Sequence, residues 1–214
     1  MRLKHPGAAL TWRSHQDHAN LLQCSKSMLQ CREGRPVAAS FLTELGQVLH
    51  EEHFRILSLI CGLENRVAGG EGGRPIDPAN AEERANLQAL TVALDQIIDH
   101  NRFEESILFP LIYAGGGGDL TALLTHEHDT IGPLARHVRS LATAILDHGV
   151  DGERWDAFQS AAKDLVSEMM SHLQKEEMAV VQRLRLFLDT ETDHRLAERH
   201  LAERPPTRIK IAFQ

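Results

Sequence analysis

Apolar residues recur at three- and four-residue steps along most of this chain, while strand-like alternation is scarce, so the pattern predicts an all-α protein. Breaks rich in glycine and proline divide the periodic stretches. A first helix is predicted over about residues 9 to 31, closed by Glu33-Gly34-Arg35-Pro36. Four longer helices follow, over about 37 to 68, from Asp77-Pro78 to about 114, over about 119 to 147 and over about 153 to 188. Their connectors are Gly69 to Pro75, Gly115 to Gly118, and His148-Gly149-Val150-Asp151-Gly152. Long helices joined by short connections predict an up-down-up-down four-helix bundle, its core at about 37–188 of a single domain over 1–214. The remainder, 189–214, reads as a short charged helix stopped by Pro205-Pro206 and a loosely held tail.

Each long helix carries an apolar row, and each row is interrupted by histidine. In the 37–68 helix, Leu42, Leu45, Leu49, Ile56, Ile60, Leu63 and Val67 leave one gap, which His53 fills. The next row reads Leu90, Leu94, Ile97, His100, Glu104, Leu108, Leu111. The third reads Leu124, His128, Ile131, Ala135, Val138, with His126 about 200° round the helix from His128 and so facing out. In the fourth, Phe158, Ala162, Leu165 and Met169 lead to His172, Glu176 and Val180. Six polar side chains are thus aimed into the core. Left without partners, the charged ones would cost several kcal/mol each, more than a marginally stable domain tolerates, and cations between them resolve the conflict. The pairs His100/Glu104 and His172/Glu176 each follow a Glu-His dipeptide, Glu52-His53 and Glu127-His128, at similar intervals, so two helical hairpins carry equivalent candidate ligands. Spacing alone is weak: His194 and Glu198 share it, but they lie in a polar segment and read as surface.

Composition narrows the chemistry. Thirteen histidines stand beside a single tyrosine and two tryptophans, which invites a metal hypothesis. Three cysteines without a C-x-x-C spacing disfavour a disulfide framework or a thiolate zinc site, and Cys24, Cys31 and Cys61 read as packing residues. A net charge of −7 argues against nucleic acid or anionic lipid as partner. The first ten residues have no signal-peptide core and no apolar run is of membrane-span length, so a soluble, cytoplasmic protein is expected.

Four imidazoles and two carboxylates exceed the needs of one tetrahedral zinc and suit iron or manganese, so two metals are expected, each taking two histidines and sharing both glutamates. An added oxo or hydroxo bridge would leave each ion one open position, fit for a small ligand such as O2 or NO. Glu105 and Glu177, about 100° past the glutamates, are expected to support the ligands from outside or to face solvent. His50, one turn before His53, is a candidate hydrogen-bonding partner or substitute ligand; His15 and His18 read as an exposed polar face and Tyr113 as a helix-end residue.

Glu52-His53, His100-x-x-x-Glu104-Glu105 followed by Ile107-Leu108-Phe109-Pro110, Glu127-His128-Asp129 and His172-x-x-x-Glu176-Glu177 together resemble the hemerythrin-like, or HHE cation-binding, domains over roughly residues 40 to 185. The resemblance implies a non-haem di-iron centre in a four-helix bundle. Oxygen-carrying hemerythrins have His-x-x-x-His on the third helix, whereas here Gly132 follows His128 by four residues. The pattern is closer to bacterial di-iron proteins proposed to repair damaged iron centres. What the resemblance implies is a protein that binds or senses O2 or NO, or alternatively a di-iron oxidoreductase or iron-donating repair protein; it identifies no protein partner.

Overall fold

The computed structural model describes residues 42–68 and 73–203, in which every regular element is helical. The predicted helix at 9–31, with His15, His18, Cys24 and Cys31, and the tail beyond Glu203 lie outside these residues. Four long helices form the bundle: α1 (Glu44–Val67), α2 (Ala81–Phe103), α4 (Gly118–His148) and α5 (Gly152–Ala179). A π-helical turn (Glu104–Leu108) leads from α2 into the short α3 (Phe109–Ala114), a 3-10 segment (Val181–Leu186) follows α5, and α6 (Thr190–Glu203) closes the described chain. The closest neighbours are α4 with α5, α2 with α4 and α1 with α5, while α6 lies against α1.

Three of the four long helices start at side-chain caps. Thr43 accepts from the Gly46 amide, Asn80 from the amides of Glu82 and Glu83, and Asp151 from that of Arg154, each satisfying donors the helix leaves unpaired and worth about 1 kcal/mol. The second helix therefore begins after Asn80 and not at Asp77-Pro78. Asp77 instead closes a turn, its carboxylate accepting from the Ala79 amide and its own amide donating to Glu83. At the far end, Gly116 has φ of 95°, and a Cβ on Gly117 would fall 2.5 Å from the Ile112 side chain, so the chain can reverse tightly there only with glycine.

The helix predicted to run unbroken to residue 114 contains the π turn, and the consequence is a one-residue change of register. Leu111, expected in the apolar row, is only partly buried, and Ile112 takes the core position. Pro110 supplies a reason: it has no amide to donate, and its ring presses on the carbonyl one turn back, so the preceding turn widens and Phe109 bonds to the Glu104 carbonyl. Likewise the fourth helix stops at Ala179 instead of 188, where the β-branched pair Val180 and Val181 enters a tighter 3-10 turn and both bury, with Leu184.

The core comes in two clusters. One gathers Ile56, Ile60, Ile97, Ile131, Phe158, Leu165 and Met169 with their neighbours. The other gathers Leu45, Leu49, Leu108, Phe109, Ile112, Leu124, Val180 and Leu184, and includes Leu196 and Ala197 of α6. On every long helix the histidine of the apolar row falls between them: His53 between Leu49 and Ile56, His100 between Ile97 and Leu108, His128 between Leu124 and Ile131, His172 between Met169 and Val180. The bundle is therefore two apolar layers separated by one polar layer.

Candidate metal centre

That polar layer consists of His53 on α1, His100 at the end of α2, Glu104 opening the π turn, His128 on α4, and His172 and Glu176 on α5. None is more than 6% exposed. They fall into two groups of four, His53, His100, Glu104, Glu176 and Glu104, His128, His172, Glu176, in each of which one potential donor atom per residue lies within 4.8 Å of all the others. Both glutamates belong to both groups. Glu104 spans the layer, Oε1 lying 3.4 Å from His100 Nε2 and Oε2 3.5 Å from His128 Nε2. Glu176 Oε2 lies 3.5 Å from His53 Nε2 and 3.1 Å from His172 Nε2.

All four imidazoles are oriented from outside by a carboxylate. His53 Nδ1 bonds Glu177 at 3.3 Å, His100 Nδ1 bonds Glu52 at 2.9 Å, His128 Nδ1 bonds Glu105 at 2.8 Å and His172 Nδ1 bonds Glu127 at 2.9 Å. A carboxylate only accepts, so each Nδ1 carries a proton, and each ring in its neutral form presents an Nε2 lone pair to the interior. This fixes four rings in the tautomer a cation requires. The four carboxylates sit next in sequence to a glutamate or histidine of the inner layer, and helical geometry turns each by about 100° onto a ring of another helix.

Three of the outer carboxylates have cationic or imidazole partners of their own. Lys175 holds Glu127, His50 Nδ1 lies 2.7 Å from Glu177, and His200 Nε2 lies 2.8 Å from Glu52. Burial would raise Glu177, but the hydrogen bonds from His50 and His53 outweigh it and bring its pKa down to about 2. Against a similar burial effect, the bonds from His100 and His200 hold Glu52 below the usual carboxylate range.

The inner layer is different, because most of its polar atoms lack hydrogen-bond partners. Both oxygens of Glu104, both of Glu176, and Nε2 of His53 and of His100 are buried without one, while His128 Nε2 and His172 Nε2 lie 3.0 Å apart, within hydrogen-bond reach of each other. Burial, reinforced by the Glu176 charge, pushes the Glu104 carboxyl well above its ordinary value. Burial likewise pushes His100 and His128 down, away from the imidazolium form, whereas at His172 burial is outweighed by the charges of Glu176 and Glu127, which push the ring up. Unpaired acceptors of this number and depth fit a metal site: hard carboxylate and intermediate imidazole donors, no thiolate, and inward lone pairs that cations would satisfy together.

Glu105 and Glu177 support ring orientation from outside, Glu105 being half-exposed. His50 binds Glu177 and lies outside both groups of four. His126 is exposed, and His194 and Glu198 form an exposed pair. Cys61 is a free, partly buried thiol, and Tyr113 at the helix end is 68% exposed. The roles of Glu52, Glu127, Lys175 and His200 were not foreseen. Glu-His dipeptides marked the first two; nothing local marked the last.

An all-α bundle with a buried carboxylate–imidazole layer defines the class. Among curated proteins, the chain is 30% identical over 90 residues to the iron-sulfur cluster repair protein YtfE of Musicola paradisiaca, which covers 41% of this chain and 40% of the relative. It is 25% identical over 130 residues to the protein of that name in Dickeya chrysanthemi and 28% identical over 130 residues to that in Pectobacterium atrosepticum, covering 59% of this chain and 57% and 55% of those relatives. These relatives bear out the resemblance to hemerythrin-like proteins of the iron-centre-repair type. The chain thus spans between 40% and 57% of the length of these relatives. No family model matches the chain, and no solved structure matches it significantly. Among the described residues, no helix is long and apolar enough to cross a membrane.

Proposed function

We propose that the chain is a non-haem di-iron protein that binds or senses a diatomic ligand, O2 or NO. The observation that carries this reading is the shared pair of buried glutamates, each facing histidines of both groups, with all four histidines held Nε2-inward. In this reading His53 and His100 would hold one cation and His128 and His172 the other, with Glu104 and Glu176 within reach of both. Iron bound there would supply open coordination positions and one-electron redox chemistry toward a small ligand. The protein's part is to fix the donors, orient the imidazoles, and exclude bulk water with Leu49, Leu108, Phe109, Ile131 and Met169 on the two sides of the layer. Phe109 stacks on the His128 ring at 5.5 Å and limits its rotation. Enclosure of this kind admits a diatomic molecule and turns away a large substrate.

A second reading, iron-centre repair with the pair acting as an iron donor or as an oxidoreductase toward NO or peroxide, is favoured by the names of the curated relatives. One experiment tests the shared basis and the next separates the two. Metal content is measured on protein purified without added metal, beside a His100→Ala, His172→Ala double variant. Close to two irons per chain, lost in the variant, is the expected result; no metal, or equal zinc in both proteins, would sink the reading. Titration of the loaded protein with O2 and NO, followed by absorption, then supports the first reading if a reversible spectral change appears, and transfer of iron to a metal-depleted cluster protein supports the second.

A further inference from the structure

Helix α6 read from sequence as a short charged appendage, yet it is anchored to α1 at two places, and one of them reaches the metal layer. Asp193 Oδ2 accepts from the Glu44 amide at 2.8 Å and from the Leu45 amide at 3.3 Å, serving two unpaired donors at the start of α1. Two turns later on the same face of α6 comes His200, and two turns along α1 comes Glu52. Between the two anchors Leu196 and Ala197 bury in the apolar cluster on that side of the layer. The two helices thus run side by side in the same direction, in register over two turns.

His200 is itself buried, 7% exposed, with its ring 3.9 Å from that of Phe103. Its Nε2 donates to Glu52 Oε1 at 2.8 Å, while Glu52 Oε2 accepts from His100 Nδ1 at 2.9 Å. One carboxylate therefore joins two imidazoles, one belonging to α6 and the other to the inner layer. A Glu side chain has three rotatable bonds before its carboxylate, and a partner on one oxygen removes most of the freedom by which the other oxygen could leave His100. The other outer carboxylates with such partners are held by Lys175 and His50, both substantially exposed. Among the described residues, the Glu52 clasp alone is closed from water by an element outside the four long helices.

We propose that His200 is a positioning residue for the metal centre: by clamping Glu52 it holds His100 in the Nδ1-protonated, Nε2-inward state, so that docking of α6 is a condition for full metal affinity. The inference rests on the metal reading above, and its test includes a readout that needs no metal. Four chains are compared: wild type; His200→Leu, which keeps the bulk and removes the donor; His200→Gln, which restores an N–H donor; and Leu87→Ala, which creates a cavity in the other apolar cluster and destabilises without touching the clasp. In the metal-free proteins, ring-nitrogen NMR reads the tautomer of His100. In parallel, Co(II) is titrated against a chelator, its visible absorption bands reporting ligand geometry.

Wild type and Leu87→Ala are expected to show a single His100 tautomer protonated at Nδ1, and His200→Leu a mixture. Co(II) affinity should fall about tenfold or more in His200→Leu, with altered bands, stay within about threefold of wild type in His200→Gln, and be unchanged in Leu87→Ala. Should His200→Leu fail to fold, His200→Asn, whose shorter amide cannot reach Glu52, takes its place in both readouts. An unchanged tautomer and unchanged affinity on loss of the donor would overturn the proposal, as would an equal affinity loss in Leu87→Ala. Wild type that fixes the tautomer but binds no Co(II) would overturn the metal reading itself, a distinct failure.

Discussion

Glu104 and Glu176 show what the centre asks of single residues. Neither carboxyl group has exposed surface, but the imidazoles around Glu176, His172 foremost, hold it below the usual carboxylate range against its burial, whereas Glu104 is poorly matched to a metal-free protein. Because burial and the Glu176 charge raise the Glu104 pKa, Glu104 favours the folded state only when protonated, a contribution present below the ordinary carboxylate range and lost as pH rises through the raised value. At neutral pH, Glu104→Gln should therefore raise the melting temperature of the metal-free protein by about 3 °C or more, while lowering the metal it retains. A scanning-calorimetry comparison with metal analysis checks both; a lower melting temperature would contradict the argument. Glu177 has the opposite sign. With its pKa held at about 2, it contributes stability that is complete above its ordinary value of 4.5 and is lost as pH falls from there toward 2. Glu177→Gln should flatten the acid limb of the metal-free stability profile in that window, and a variant that follows wild type throughout it would refute the assignment. The inner residues were legible because each interrupts an apolar row; the clasp of Glu52 by His200 was not, since it joins positions 148 apart in sequence.

At the scale of elements, hydrophobic periodicity located four long helices, because each buries one continuous face and glycine or proline marks most ends. It misplaced what depends on backbone hydrogen bonding. Asn80 displaced Asp77-Pro78 as a start, valines ended α5 early, and the π turn moved the core position from Leu111 to Ile112, since a 3.6-residue period cannot register an inserted residue. The π turn also has a use. It holds Glu104 inward and Glu105 against His128 within one widened turn, two adjacent carboxylates serving the same centre. Deleting Ser106, an exposed residue of that turn, restores ordinary helical geometry without changing the phase of the core beyond it. The expected variant is a folded bundle whose helix content by circular dichroism matches wild type but whose metal affinity is about tenfold weaker, through loss of the Glu105 support. Undiminished affinity would show the turn to be incidental.

For the molecule as a whole, the position of the polar layer matters as much as its content. It divides the core into a larger cluster, around Phe158 and Leu165, and a smaller one, which holds α3, the 3-10 segment and the docked face of α6. Without cations the layer between them contains unpaired buried carboxylate and imidazole acceptors, so it transmits little stability from one side to the other. Cations bound by all four long helices would join the clusters across it, and because they bind the folded state alone they add stability by linkage. The smaller side, with fewer buried contacts of its own, should depend on that link more. Hydrogen exchange on metal-free and iron-loaded protein reads this directly. Amides of α6 and of the helix ends around Leu45, Ile112 and Leu124 are expected to exchange at least about tenfold faster without iron, while those around Ile97, Ala135 and Leu165 change little. A uniform acceleration over both sides would mean that the bundle opens as one unit and that the polar layer divides it in composition only.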